Sequence, residues 1–239
     1  MSTILRRRRT HVLVMAKAPE AGKVKTRLCP PCTSVEAAAI AEAALADTLD
    51  AVAACRADRK VVAVAGRPGP WLPPGIEAIP QRGGQFDERL ANAWDDLRRT
   101  SGGCGVQIGM DTPQITAALL DEQLDSLSTA GRAGRLGGRQ RAVLGPAADG
   151  GWWLIGLPGS DPRPIFAGVP MSTSRTGHAQ AQRLKSLGLD VVLAPQLRDI
   201  DTAEDLRLVA AHIPSSRTAA ASSPVLARVD PASVAEVVA

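Results

Sequence analysis

Apolar residues in this chain fall into short unbroken runs, separated by longer stretches with helical spacing. "HVLVMA" (11–16), "KVVAVA" (60–65), "GVQIGM" (105–110), "AVLGP" (142–146), "WWLIGL" (152–157) and "LDVVLA" (189–194) are such runs. Their length suits strands buried on both faces. "IEAI" (76–79) adds a shorter strand. Helical patterns lie between them: 33–55, opened by a capping box of Thr33 and Glu36, 86–99 through Leu90, Trp94 and Leu97, 116–129, a segment near 174–187, and 203–213. The Pro/Gly-rich 66–75 and the Gly/Arg-rich 131–140 read as loops.

This alternation predicts an α/β fold in which helices cover both faces of a mostly parallel sheet. Ligands of such sheets collect at the carboxyl ends of the strands. The loops after Ala16 and after Met110, and the segment before the helix at 203, are therefore the places to search, and all three carry charge. The body is expected over 11–213, preceded by a basic arm (1–10). A Ser/Ala/Pro-rich tail (214–239) is expected to be mobile, with one short helix in "DPASVAEVV".

Composition narrows the classes. At 45% hydrophobic and 22% charged, 239 residues suit a globular protein with a full core. With four Trp, two Phe and no Tyr, that core must be built from Ala, Val, Leu and Ile. The start, "MSTILRRRRTHVLVMAKA", imitates a signal peptide, but its apolar stretch is shorter than the roughly 7–15 residues of an h-region. No run approaches the ~18 apolar residues of a membrane span. A cytoplasmic location is the expectation, and four cysteines do not make a disulfide scaffold in a chain this long. "CPPC" (29–32) lacks the second Cys/His pair that a zinc site needs. His11, His178 and His212 are scattered, and no G-x-S-x-G motif accompanies them.

The net charge of +4 is concentrated in the first thirty residues, which points to an anionic ligand there rather than to general nucleic-acid binding. Lys17, Lys23, Lys25 and Arg27 surround Gly22 in "KAPEAGKVKTR". The loop is neither a Walker A motif nor a G-x-G-x-x-G fingerprint. What remains is a turn at Gly22 with cations placed for the oxygens of a diphosphate or triphosphate.

Three acidic motifs admit two readings each. Asp111 in "IGMDTP" sits where a strand ends, suited either to a hard divalent cation or to helix capping. Asp199 and Asp201 in "RDIDTAEDL" share one side of an extended segment, while Asp201 with Glu204, or Thr202 with Asp205, makes a capping pattern. Asp149-Gly150-Gly151 is a hairpin turn; alternatively its glycines admit a substrate to the backbone while Asp149 meets a hydroxyl or acts as a base. Trp152 and Trp153 offer a stacking face, although strand alternation puts at least one in the core.

"VMAKAPEAGKVKTRL", "GGQFDERLANAW", "IGMDTPQIT", "GPAADGGWWLIGL", "PMSTSRT" and "RDIDTAEDL" together resemble the motif series of a bacterial family, domain of unknown function 2064. That family is related to the GT-A superfamily of nucleotide-diphospho-sugar transferases. The resemblance spans about 11–210 and departs from the family pattern at Phe86-Asp87 and at the Trp152-Trp153 pair.

It implies a GT-A-like Rossmannoid three-layer α/β/α fold with nucleotide held by the first loop (Lys17, Gly22, Lys23, Lys25, Arg27) and Arg89. It also implies Mg²⁺ or Mn²⁺ on Asp111, with Asp201 nearby. Asp149 would serve the acceptor, with Gly150, Gly151, Ser172 and Thr173 around it. The function so implied is a metal-dependent glycosyltransferase acting on an NDP-sugar and an unidentified acceptor. The alternatives are a nucleotidyltransferase releasing pyrophosphate, or a non-catalytic nucleotide-binding protein on the same fold.

Overall fold

A computed structural model describes residues 9–134, 138–159 and 161–229. In chain order the strands are β1 (Thr10–Lys17), β2 (Arg59–Ala65), β3 (Glu77–Pro80), β4 (Cys104–Gly109), β5 (Arg141–Pro146), β6 (Trp152–Leu157) and β7 (Asp190–Leu193). The helices are α1 (Ser34–Ala54), α2 (Phe86–Ser101), α3 (Ala117–Gly134), α4 (Arg163–Phe166), α5 (Thr176–Ser186), α6 (Ala203–His212) and α7 (Arg217–Val229).

The strands form one seven-stranded sheet in the order β3-β2-β1-β4-β6-β5-β7. β1 pairs in parallel with β2 and β4, and β2 with β3; β5 pairs in parallel with β7. β6 alone runs antiparallel to its neighbours β4 and β5, because the turn at Asp149–Gly151 closes a hairpin instead of a helical crossover. The fold is the expected α/β class, a mostly parallel mixed sheet.

Alternation along β1 shows how the layers form. Val12 and Val14 belong to the core beneath α1 and α3, whereas Leu13 and Met15 belong to the opposite core beneath α2 and α4. Trp94 and Phe166 are fully buried in that second layer among aliphatic side chains and supply its bulkiest members. Asp95, 2% exposed, is surrounded by Arg98, Arg99 and Arg163, which ties α4 to α2.

The capping box Thr33–Glu36 forms as the sequence predicts. The mobile tail expected from 214 does not begin there. As far as Val229 it is helix α7, which buries Thr218, Ser222 and Val225 in a third cluster with α1 and α6. Asp47 of α1 accepts from the Thr218 amide at 2.8 Å and its hydroxyl at 2.6 Å, and Arg228 pairs with Glu36 at 2.8 Å. Small residues hide this helix in a composition that reads as disorder; their positions, four and three apart, carry the packing. The arm at 1–8, the centre of the 131–140 loop and "DPASVAEVV" lie outside the described residues.

Candidate active site

At the carboxyl ends of β1 and β4 the sheet opens into a cleft with two adjoining chambers of about 500 and 510 Å³. Arg27, Asp111, Ser172 and Asp201 border both. The first chamber collects Lys17, Lys23, Lys25, Arg27 and Arg89, the cations the sequence singles out. Gly22 makes the turn between them, at φ +76° with open space where a Cβ would stand, and lines neither chamber.

The loop cations are not equivalent. Lys23 and Arg27 are 73% and 74% exposed, and Lys23 pairs with Glu20 at 2.6 Å. Lys25 is 7% exposed: its Nζ lies 2.8 Å from Asp111 Oδ1 and 3.5 Å from Asp201 Oδ1, and it donates to the Ile200 carbonyl. Burial alone would lower its pKa, but Asp111, reinforced by Asp201 and Asp199, outweighs burial and holds it above the usual lysine range. The lysine is therefore charged. Arg89, on α2, donates to the Gly84 carbonyl at 2.9 Å.

Lys25 (φ +50°) and Ser172 (φ +57°) are the non-glycine residues with left-handed backbone among the described residues. Both line the cleft. Such conformations cost of order 1–3 kcal/mol each and persist where surrounding contacts over-determine them. The three oxygens around the Lys25 ammonium are such contacts.

The second chamber is acidic. Asp111 comes from the end of β4, Asp149 from the hairpin, and Asp199, Asp201 and Asp205 from the segment entering α6. The Ile200 amide donates to the Asp111 carbonyl at 2.9 Å, which locks two of these segments together. Of the two capping patterns, Thr202 with Asp205 is the one formed, leaving the Asp201 carboxylate to face Lys25 and Arg27.

Asp199 is the acidic residue the sequence reading left without a role. It accepts from the Thr112 hydroxyl at 2.6 Å. Burial first, then the charges of Asp111 and Asp149, push it up to about 6, against the pull of Thr112. The alternation in "RDID" is the sequence signal that carried it.

Asp149 lines the chamber and accepts from the Gly151 amide at 2.8 Å. Gly150 is required by the chain itself. A Cβ on Gly150 would meet the Ser174 carbonyl at 2.2 Å, and the Gly177 amide donates to the Gly150 carbonyl at 2.8 Å. The turn is thus pressed against the 172–177 loop, bringing Ser172 and Thr173 to the same wall. Gly151 lines the chamber and Gly150 does not. Trp153 is buried, its Nε1 donating to the Pro195 carbonyl at 3.0 Å, while Trp152 is half-buried and lines the second chamber. Gln81, also unmarked by the sequence, donates to the carbonyls of Ala16 and Ala63 at 2.9 Å and closes the first chamber.

Among the described residues no group of three or more His, Cys, Asp or Glu is arranged to hold a metal. Asp111 and Asp201, 39% and 37% exposed, offer hard oxygen donors to the cleft. Mg²⁺ or Mn²⁺ needs one or two carboxylates when phosphate and water supply the rest. The donor chemistry fits a cation that arrives with a phosphate, although Lys25 already holds one oxygen of Asp111. Cys29 and Cys32 are free thiols.

The family described as "Uncharacterized protein conserved in bacteria (DUF2064)" matches residues 35–173, which includes Asp111 and Asp149 but neither the cationic loop nor Asp201. No curated protein matches the chain. A protein from Desulfovibrio desulfuricans G20, provisionally named a nucleotide-diphospho-sugar transferase, is 24% identical, with a TM-score of 0.80 over 92% of this chain and 97% of its own. A cytidylyltransferase from Leptospira borgpetersenii serovar Hardjo-bovis is 15% identical, with a TM-score of 0.56 over 94% and 96%. CMP:2-keto-3-deoxy-manno-octonic acid synthetase complexed with CTP is 12% identical, with a TM-score of 0.51 over 86% and 98%. At such identities the likeness is one of fold.

Proposed function

The chain belongs to the domain of unknown function 2064 family, and on that premise we propose that it is a metal-dependent transferase acting on a nucleotide-activated substrate, an NDP-sugar. The observation that carries this reading is the joining of a cation-lined chamber to a carboxylate-lined one, with Asp111 on the wall of both. A polyphosphate satisfies the first chamber and a hydroxylated acceptor the second.

In this reading Arg27, Arg89, Lys17 and Lys23 bind phosphate oxygens, Arg27 through its planar fork and the lysines as point charges. Asp111, with Asp201, would hold Mg²⁺ or Mn²⁺, which when bound supplies positive charge for the leaving diphosphate. Asp149, fixed by the Gly151 amide, orients the acceptor hydroxyl and takes its proton. Trp152 gives the acceptor ring an apolar face.

Nucleotidyl transfer is the second reading, favoured by the density of cations around the first chamber, since a triphosphate carries more charge. One assay separates the two. UDP- and GDP-sugars and the four NTPs are incubated with Mn²⁺ or Mg²⁺ and a panel of hydroxylated and phosphorylated acceptors. Release of nucleoside diphosphate from an NDP-sugar supports the first reading and pyrophosphate from an NTP the second. Release of neither removes both.

A further inference from the structure

The cleft already contains a cation. Lys25 Nζ is surrounded by Asp111 Oδ1 at 2.8 Å, Asp201 Oδ1 at 3.5 Å and the Ile200 carbonyl, and its side chain is 7% exposed. Those are the two carboxylates assigned above to the divalent metal. Three oxygens around one ammonium make a tethered counter-ion, distinct from the exposed Lys23 and Arg27 of the same loop.

We propose that Lys25 is the resident counter-ion of the Asp111–Asp201 pair, that its ammonium and a divalent cation exclude one another there, and that nucleotide phosphates resolve the competition by drawing Lys25 away. This rests on the proposed function for the identity of the metal and nucleotide; the ammonium's position does not.

The physical basis is charge balance. Two carboxylates facing each other across a cleft need a cation in order to coexist. Lys25 supplies it without ligand and bridges the two. A metal arriving alone must displace an ammonium already held by three oxygens, with the Arg27 guanidinium beside Asp201 adding to the repulsion. Metal arriving with a diphosphate brings oxygens that Lys25 can turn to. Binding of metal and nucleotide is therefore cooperative, each raising the affinity for the other by the same factor. Free Mg²⁺ or Mn²⁺ does not accumulate in an empty cleft. The left-handed backbone at Lys25 and the 3₁₀ turn at Thr26–Leu28 that follows it aim the side chain inward, away from the face used by Lys23.

Mn²⁺ binding, read by the loss of its free-ion electron paramagnetic resonance signal, tests this without any turnover. Wild type, Lys25→Met and Lys23→Met are titrated with Mn²⁺ alone, and then with UDP or GDP present. Lys25→Met should bind Mn²⁺ alone about tenfold more tightly than wild type. Lys23→Met, which removes the same charge from the loop without touching the carboxylates, should remain within about twofold of wild type. UDP or GDP should tighten Mn²⁺ about tenfold on wild type and far less on Lys25→Met.

Equal Mn²⁺ affinity of wild type and Lys25→Met would overturn the proposal, as would an equal gain in Lys23→Met. Circular dichroism establishes that each variant is folded. If Lys25→Met does not fold, the wild-type synergy between Mn²⁺ and nucleotide decides alone: its absence, with both binding, rejects the proposal. If no nucleotide binds any variant, the proposed function falls, while the metal-only comparison still decides the assignment of Lys25.

Discussion

The two chambers of the cleft hold opposite charge by opposite means. The first is walled by cations from the loop after β1 and by Arg89 of α2, and at Lys23 and Arg27 it leaves them largely in water. Mutual repulsion there is screened and costs little. The second gathers carboxylates from three segments far apart in sequence and half-buries Asp199 among them, where it is pushed up to about 6. That arrangement exists only because backbone bonds such as Ile200 to Asp111, and the Lys25 ammonium, hold it together. An exposed cationic mouth is suited to capture; a constrained acidic wall is suited to chemistry.

The sharpest way to break this contrast is at the shared wall. Asp111→Asn should lower turnover by about 10²–10³-fold, whichever nucleotide proves to be the donor. It should also cost about 2 kcal/mol in stability, because Lys25 loses its nearest carboxylate. Steady-state kinetics and urea unfolding on the same preparation measure both. A variant that loses stability but keeps turnover would make Asp111 structural only.

Next in size is a control at the other end of β1, away from the cleft. His11 is buried against Trp94, with ring centroids 5.0 Å apart, and burial, with a contribution from Arg59, lowers its pKa to about 4. In the unfolded chain it titrates near 6.5. Above 6.5 both states are neutral and the full stability is present. As pH falls from 6.5 to 4 the unfolded chain alone takes up the proton, and up to about 3 kcal/mol is lost. Urea unfolding at pH 7 and pH 4.5 should show a loss that His11→Phe largely removes, while nucleotide affinity at pH 7 is unchanged.

Smaller effects belong to the mouth. Arg27→Ala should weaken nucleotide binding about tenfold and reduce its salt dependence, by loss of a bidentate phosphate contact. Lys23→Ala should weaken it by about threefold or less, since Lys23 is exposed and already engaged by Glu20. Isothermal titration at two salt concentrations ranks them; the reverse order would move the phosphates toward the Glu20 side of the loop.

The two chambers were also unequally legible. Every cation of the first chamber stands in one short loop or one turn into α2, so local charge density marks it. The second depends on tertiary contact: nothing local says that Asp199 accepts from the Thr112 hydroxyl, or that Thr202 rather than Asp201 would cap α6.

Strands buried on both faces read clearly because their apolar runs are continuous, as at 152–157, which matches β6 to the residue. Helix α7 did not, because Thr218 is held by Asp47 and Ser222 by the Thr218 carbonyl on a tight helix face rather than by bulk. Gly150 stands in a turn motif that suits either a hairpin or a ligand's approach, and only the fold shows the Ser174 carbonyl that a Cβ there would meet. The inward turn of Lys25 comes from a left-handed residue that no residue preference announces.

Thermal unfolding of wild type and Asp111→Asn, each with UDP, GDP, their sugars and the four NTPs in Mn²⁺, Mg²⁺ or EDTA, tests the central claim most directly. Ligands that bind the native state raise the midpoint by mass action. The two-chamber account predicts a rise with at least one nucleotide that requires metal, vanishes in EDTA and is lost in Asp111→Asn. A rise indifferent to both metal and Asp111, or no rise with any nucleotide, would contradict it.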